Sequence, residues 1–160
     1  MVDKKSLAGV EVTVCEEFRK NNIRWVLAGS LSLALQGVDV EPMDIDILTI
    51  RRDAFKINAI LKKDEEKKVE YSQTDGISSF FGIFRIDGIK VEVMGNYIEK
   101  ERGKWVNLSH RLKKPKTVEV DGIEVPVSPL EDQLISYKRS NRLKDYEKSG
   151  RSFRKQKSNI

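Results

Sequence analysis

Residues 43–48 read Met-Asp-Ile-Asp-Ile-Leu, an alternation that constrains the fold more than any other stretch of this chain. Successive side chains of a strand point to opposite faces. Asp44 and Asp46 therefore share one face, and Ile45 and Ile47 share the other. Two neighbouring carboxylates repel each other and gain nothing structurally. A divalent cation resolves the conflict, and hard oxygen ligands suit Mg2+ or Mn2+. Upstream, Trp25-Val26-Leu27-Ala28 is an unbroken apolar run, as expected of a strand covered on both faces. Gly29 allows a sharp turn, and Ser30 stands where a helix N-cap is favoured. The apolar stripe Leu31, Leu33, Ala34 and Leu35 predicts a short helix stopping near Gly37. Free N–H groups at such a helix start form a natural anion site. A phosphate cradle beside a metal-binding pair of acids points to a nucleoside triphosphate.

Other elements follow in chain order. Leu7, Val10, Val14 and Phe18 predict a helix over 6–21, leading into a strand at 23–28. Arg51 to Lys68 reads as a second long helix whose far end, 62–68, is a solvated charge run. From residue 69 the period becomes two: a short strand at 69–73, then a hairpin of 79–86 and 89–94 about Asp87-Gly88. Trp105 to Leu112 reads as a strand or an irregular segment. A second hairpin turns at Asp121-Gly122, and Pro126 places its latter strand at an edge. Ser128-Pro129 opens a last helix bearing Leu130, Leu134 and Tyr137, with Lys138 and Arg142 four apart on one face. Glu92, in Lys90-Val91-Glu92-Val93-Met94, is an acid in the middle of a core-like strand. It is either a cross-strand partner of a basic residue or a third ligand beside Asp44 and Asp46.

The ordered set of Gly29-Ser30, a short helix and loop, Asp44-Ile45-Asp46, and then Glu92 resembles the polymerase-beta-type nucleotidyltransferase superfamily. Small prokaryotic members, including antibiotic-adenylylating ones, are the most similar. The resemblance covers roughly residues 20 to 145. It implies an α+β fold, with a mixed, mostly antiparallel sheet flanked by helices. It also implies an enzyme moving a nucleoside monophosphate from a triphosphate to an acceptor hydroxyl with release of pyrophosphate. In that light Asp44, Asp46 and Glu92 are catalytic metal ligands, Gly29 and Ser30 hold phosphates, and Lys138 contacts them with Arg142 in support. Two other functions stay open. One is a catalytically silent nucleotide-binding or antitoxin-type module; the other is a nucleotide-sugar glycosyltransferase using the Asp-x-Asp pair.

Composition sets the remaining bounds. With 160 residues, 39% apolar and 34% charged, the chain suits one globular domain, assigned to 1–147. The net charge of +5 resides in residues 148–160, whose five basic side chains face no acid, so the remainder is neutral at 25 against 25. That tail reads first as a flexible solvated end and second as an arm for nucleic acid. Cys15, the single cysteine, excludes an intramolecular disulfide and reads as a buried, inert thiol, and the lone His110 excludes a histidine-based zinc site. No span is apolar enough for a bilayer, and no secretory leader is evident, so cytoplasm is the expected location. The acceptor is expected on this domain, on a second subunit of a homodimer, or on a partner protein.

Overall fold

A computed structural model describes the backbone of residues 4–107, 112–113 and 115–139, and among these the side chains from Leu7 to Ile135. The elements in chain order are α1 (Lys4–Lys20), β1 (Trp25–Ala28), α2 (Gly29–Leu35), β2 (Ile45–Thr49), α3 (Arg51–Ile60), β3 (Glu65–Gln73), β4 (Ile77–Ile86), β5 (Ile89–Glu101), β6 (Lys104–Asn107), β7 (Lys116–Val120), β8 (Ile123–Val127) and α4 (Leu130–Arg139). All eight strands lie in one sheet ordered β3-β4-β5-β2-β1-β8-β7, with β6 added onto β5. Two pairings, β2 with β5 and β1 with β8, are parallel, and the others are antiparallel. The fold is α+β with a mixed, mostly antiparallel sheet, as the sequence led us to expect.

Strand alternation divides the central sheet into two faces. Trp25, Leu27, Ile45, Ile47, Val91 and Val93 point to one side, where they pack with Leu7, Val10, Val14 and Phe18 of α1 and Ala54 and Ile57 of α3. The Phe18 ring meets Trp25 edge-on at 5.2 Å, the arrangement aromatic quadrupoles prefer. Val26, Ala28, Leu48 and Leu112 form a separate cluster with Met94 and Tyr97 packed against it. Cys15 is buried and its thiol pushed up to about 12, mainly by loss of hydration, so it stays protonated and inert.

Three expectations need correction. The helix predicted over 51–68 ends at Ile60; a single 3-10 turn follows, and Glu65 already begins β3. Asn58 enforces the change: its amide donates to Glu65 Oε1 at 2.6 Å, and its carbonyl accepts from the Val69 N–H at 2.6 Å. Glu65 to Lys68 are thus the start of an edge strand, where charge discourages further strand pairing. Pro126 does not mark an edge. Its strand lies between β7 and β1, but β1 engages it at Val127, beyond the proline, so the missing N–H breaks no bond to β1. Finally, Ser30 is not the N-cap of α2. Ala28 holds that place in extended geometry, without a side-chain cap, and the Ser30 hydroxyl accepts from the Met43 N–H at 3.4 Å.

Candidate active site

The face of the sheet turned away from α1 and α3 holds the acids. Register places Ala28, Asp46 and Glu92 side by side across β1, β2 and β5, so parallel pairing of β2 with β5 brings two carboxylates from distant sequence into adjacent positions. Asp46 shares a hydrogen bond with Glu92. Asp44 lies one residue before β2, at its entrance.

Gly29 fixes where Asp46 can go. Its φ of +69° falls in the left-handed region that favours glycine, and a Cβ there would stand 2.0 Å from Asp46 Oδ2. The Asp46 carboxylate is thus laid against the Gly29 backbone where β1 turns into α2. Its other oxygen, Oδ1, is buried and has no hydrogen-bond partner. Burial raises the Asp46 carboxyl to about 7; the Glu92 charge, their shared hydrogen bond and the Asp44 charge push the same way, against the pull of Lys90.

Lys90 was not singled out as a site residue, although its place two residues before Glu92 on β5 puts it on the same face. Its Nζ lies 2.9 Å from Glu92 Oε1 and 3.8 Å from Asp44 Oδ2. Those carboxylates hold the ammonium above its ordinary value, the Glu92 hydrogen bond first. Glu92 is thus paired with a lysine on its own strand rather than across from it, and it stands beside Asp46.

A second unforeseen residue is Gln133 of α4. Buried, its amide nitrogen donates to Ser32 Oγ at 2.9 Å and to the Ser128 carbonyl at 3.1 Å, and its oxygen accepts from the Gly29 N–H at 3.3 Å. Gln36 Nε2 donates to the Ser128 carbonyl at 2.9 Å and contacts Ser32 Oγ at 3.0 Å. This buried polar group ties α4 and the β8–α4 connection to the turn that carries Gly29. Nothing in the local pattern of α4 separates Gln133 from its polar neighbours, because its partners are about a hundred residues away. Lys138 lies on α4 with its side chain outside the described set, and Arg142 lies outside the described residues, as do His110 and 148–160.

Among the described residues, no group of three or more acids, histidines or cysteines is gathered closely enough to hold a metal as the side chains stand. The donor chemistry nevertheless suits a hard cation. A buried carboxylate oxygen without a partner is costly, and an oxygen-seeking cation is what would satisfy it. The Gly29 cradle holds that carboxylate in place.

An α+β sheet joining a Gly-Ser turn to one acid at the entrance of β2, a second on it and a third on β5 defines a nucleotidyltransferase fold. The chain belongs to the aminoglycoside-2″-adenylyltransferase family, whose profile matches residues 11–156. A Thermotoga maritima protein described as a candidate nucleotidyltransferase superimposes with a TM-score of 0.82 at 34% identity, over 99% of this chain and 97% of that one. At the level of fold alone, the chain also resembles the lincosamide antibiotic adenylyltransferase LnuA (TM-score 0.60, 13% identity, 93% and 97% covered). ANT(2″)-Ia in complex with adenylyl-2″-tobramycin is similar in the same sense (TM-score 0.58, 10% identity, 92% and 89% covered). No curated protein matches the chain in sequence. Among the described residues, no helix is long and apolar enough to cross a membrane.

Proposed function

We propose that the chain is a metal-dependent nucleotidyltransferase that moves the adenylyl group of ATP to an acceptor hydroxyl and releases pyrophosphate. The observation that carries this is Asp46: buried, pinned against Gly29, adjacent to Glu92, and left with one oxygen unpartnered. The acceptor oxygen forms a bond to the α-phosphorus, the bond to the β-phosphate bridging oxygen breaks, and the hydroxyl proton passes to Glu92 or to water.

Asp44, Asp46 and Glu92 are the proposed holders of Mg2+ or Mn2+, a group that would supply charge neutralisation on the triphosphate and acidify the acceptor hydroxyl. Gly29 and Ser30 form the turn proposed to receive the phosphates, and Gln133 fixes that turn. Lys138 of α4, and Arg142 further along the chain, are proposed to add positive charge for the leaving pyrophosphate. Lys90 neutralises Glu92 and Asp44 when no cation does, and with a third of its side chain exposed it can swing clear.

Incubation with Mg2+ and ATP labelled at the α-phosphate, across hydroxylated acceptors, tests the proposal by label transfer matched to pyrophosphate release. Label transfer that persists without divalent cation removes metal dependence. A second reading is a silent nucleotide-binding module, favoured by the internal ammonium already compensating two of the acids. It predicts saturable ATP binding without pyrophosphate release from any acceptor.

A further inference from the structure

The residue on which Asp46 leans is the one least able to hold its own shape. Gly29 stands at φ +69°, and glycine crosses between left- and right-handed conformations at little cost. The helix it opens runs only from Gly29 to Leu35, too short to be stable by itself, and its N-cap Ala28 offers no side chain to the orphan N–H groups of the first turn. Asp46 also stands beside Glu92, and like charges push apart. Something outside α2 therefore has to hold the turn.

Gln133 does so from α4. Its amide oxygen accepts from the Gly29 N–H at 3.3 Å, supplying the cap that Ala28 does not. Its amide nitrogen donates to Ser32 Oγ at 2.9 Å, in the body of α2, and to the Ser128 carbonyl at 3.1 Å. Ser128 is moored to the end of β1, where its N–H donates to the Leu27 carbonyl at 2.8 Å. The Ser128 carbonyl also accepts from Gln36 Nε2 at 2.9 Å. One side chain thus spans three points: β1 through Ser128, α2 through Ser32, and the Gly29 peptide itself. Gln133 is 3% exposed, and hydrogen bonds shielded from water hold more firmly.

We propose that Gln133 is a positioning residue for the cation site: from the last helix it locks the Gly29 turn, and the locked turn presents the unpartnered Asp46 oxygen to a metal. It touches neither nucleotide nor metal. Its contribution lies in metal affinity rather than in the chemical step, because a loosened turn costs free energy when the cation captures Asp46 and nothing further once it is held. Docking of α4 is in this way linked to Mg2+ binding, and by reciprocity the bound cation steadies α4.

The proposal rests on the transfer reading only through the cation, and its test keeps the two apart. Gln133→Met keeps the length of the side chain and removes its hydrogen bonds. Gln36→Met is the control: it takes a donor from the same Ser128 carbonyl and Ser32 hydroxyl, at the far end of α2. Amide hydrogen exchange followed by NMR reads the turn. Mn2+ titration followed by electron paramagnetic resonance, with a non-hydrolysable ATP analogue present, reads the site without turnover. Both variants lower the thermal midpoint by several degrees. Only Gln133→Met speeds exchange of the Gly29 amide, at least about tenfold. Only Gln133→Met weakens Mn2+ binding, by about fivefold, as loss of one buried hydrogen bond would. With an acceptor that turns over, its Mg2+ requirement for half-saturation rises by the same factor, while kcat at saturating Mg2+ stays within about twofold. Should Gln133→Met not fold, Gln133→Asn, shorter by one methylene, withdraws from Gly29 and carries the same comparison. Mn2+ affinity unchanged in the Gln133 variant, or weakened equally in Gln36→Met, overturns the proposal, since the amide is then inert or merely structural. The expected pattern with no pyrophosphate released from any acceptor leaves the positioning role standing and removes transfer. Turnover with an unchanged Mg2+ requirement removes the positioning role and leaves transfer. No Mn2+ bound by the wild type overturns both the cation site and the residue said to serve it.

Discussion

Strands β2 and β5 carry two different proteins on their two faces. Ile45, Ile47, Val91 and Val93 are buried against α1 and α3 and have no chemistry to offer. One residue out of step, Asp46 and Glu92 lie side by side, with a partnerless oxygen and a lysine reaching in from the rim. The same backbone pairing serves both. The apolar face makes the pairing rigid, and that rigidity holds two like charges together against their repulsion. Stability and chemistry are thus separated by a two-residue period, and substitutions on the two faces have opposite signatures.

The largest contrast is at Asp46. Asp46→Asn lowers turnover at least about a thousandfold, because it removes a charged ligand where phosphoryl charge develops. It also raises the thermal midpoint by a few degrees, since a buried like-charge contact is relieved. Steady-state kinetics beside a melting curve checks both at once; unchanged turnover removes the acid row from the chemistry. Ile47→Ala, on the opposite face, does the reverse. It costs about 2–5 kcal/mol in denaturant unfolding through the cavity left in the core, while the KM for ATP below the melting range stays put.

Glu11 sharpens the contrast, because it is an acid buried by α1 with no cation to serve. Loss of hydration, with Asp121 adding to it, pushes its carboxyl from the usual 4.5 to about 7, and Oε1 has no hydrogen-bond partner. The folded state therefore binds this proton more tightly than the unfolded chain. The cost is absent below the unfolded value, grows as pH rises from about 4.5, and is complete above about 7. Glu11→Gln removes that slope and stabilises the protein by roughly 3 kcal/mol at pH 8, with little effect at pH 4. Unfolding curves across that range decide it; equal stability of both forms at pH 8 contradicts the burial cost. The smallest effect is at Lys90. Lys90→Gln leaves the melting midpoint nearly unchanged, as a partly exposed ion pair would, and lowers the Mg2+ concentration for half-saturation about two- to threefold by removing a competitor for Glu92. A higher Mg2+ requirement would make Lys90 a helper rather than a placeholder.

What could be read from the sequence was what depends on neighbours along the chain. Asp44-Ile45-Asp46 announces its own alternation, Asp87-Gly88 and Asp121-Gly122 announce their hairpins, and Leu7 to Phe18 announce α1. Glu92 was suspicious because an acid interrupts an apolar strand. The rest lay in contacts across the fold. The end of α3 is set by Asn58 reaching Glu65 and Val69, which the helical period of 51–61 does not reveal. Pro126 was misplaced because edge position depends on where β1 stops pairing. Gln133 and Gly29 meet across 104 positions, and only the fold says that a glycine, rather than the serine after it, shapes the cradle of Asp46.

The central claim is that the Asp46 carboxylate, held on Gly29 and beside Glu92, binds the cation that carries the nucleotide. The most direct test is the thermal midpoint of the wild type and Asp46→Asn, each with and without Mg2+ and a non-hydrolysable ATP analogue. The wild type should gain several degrees with both present and far less with the analogue and EDTA, while Asp46→Asn, folded and no less stable, gains almost nothing. An equal, metal-dependent gain in both proteins would contradict the claim, because the cation would then be held elsewhere.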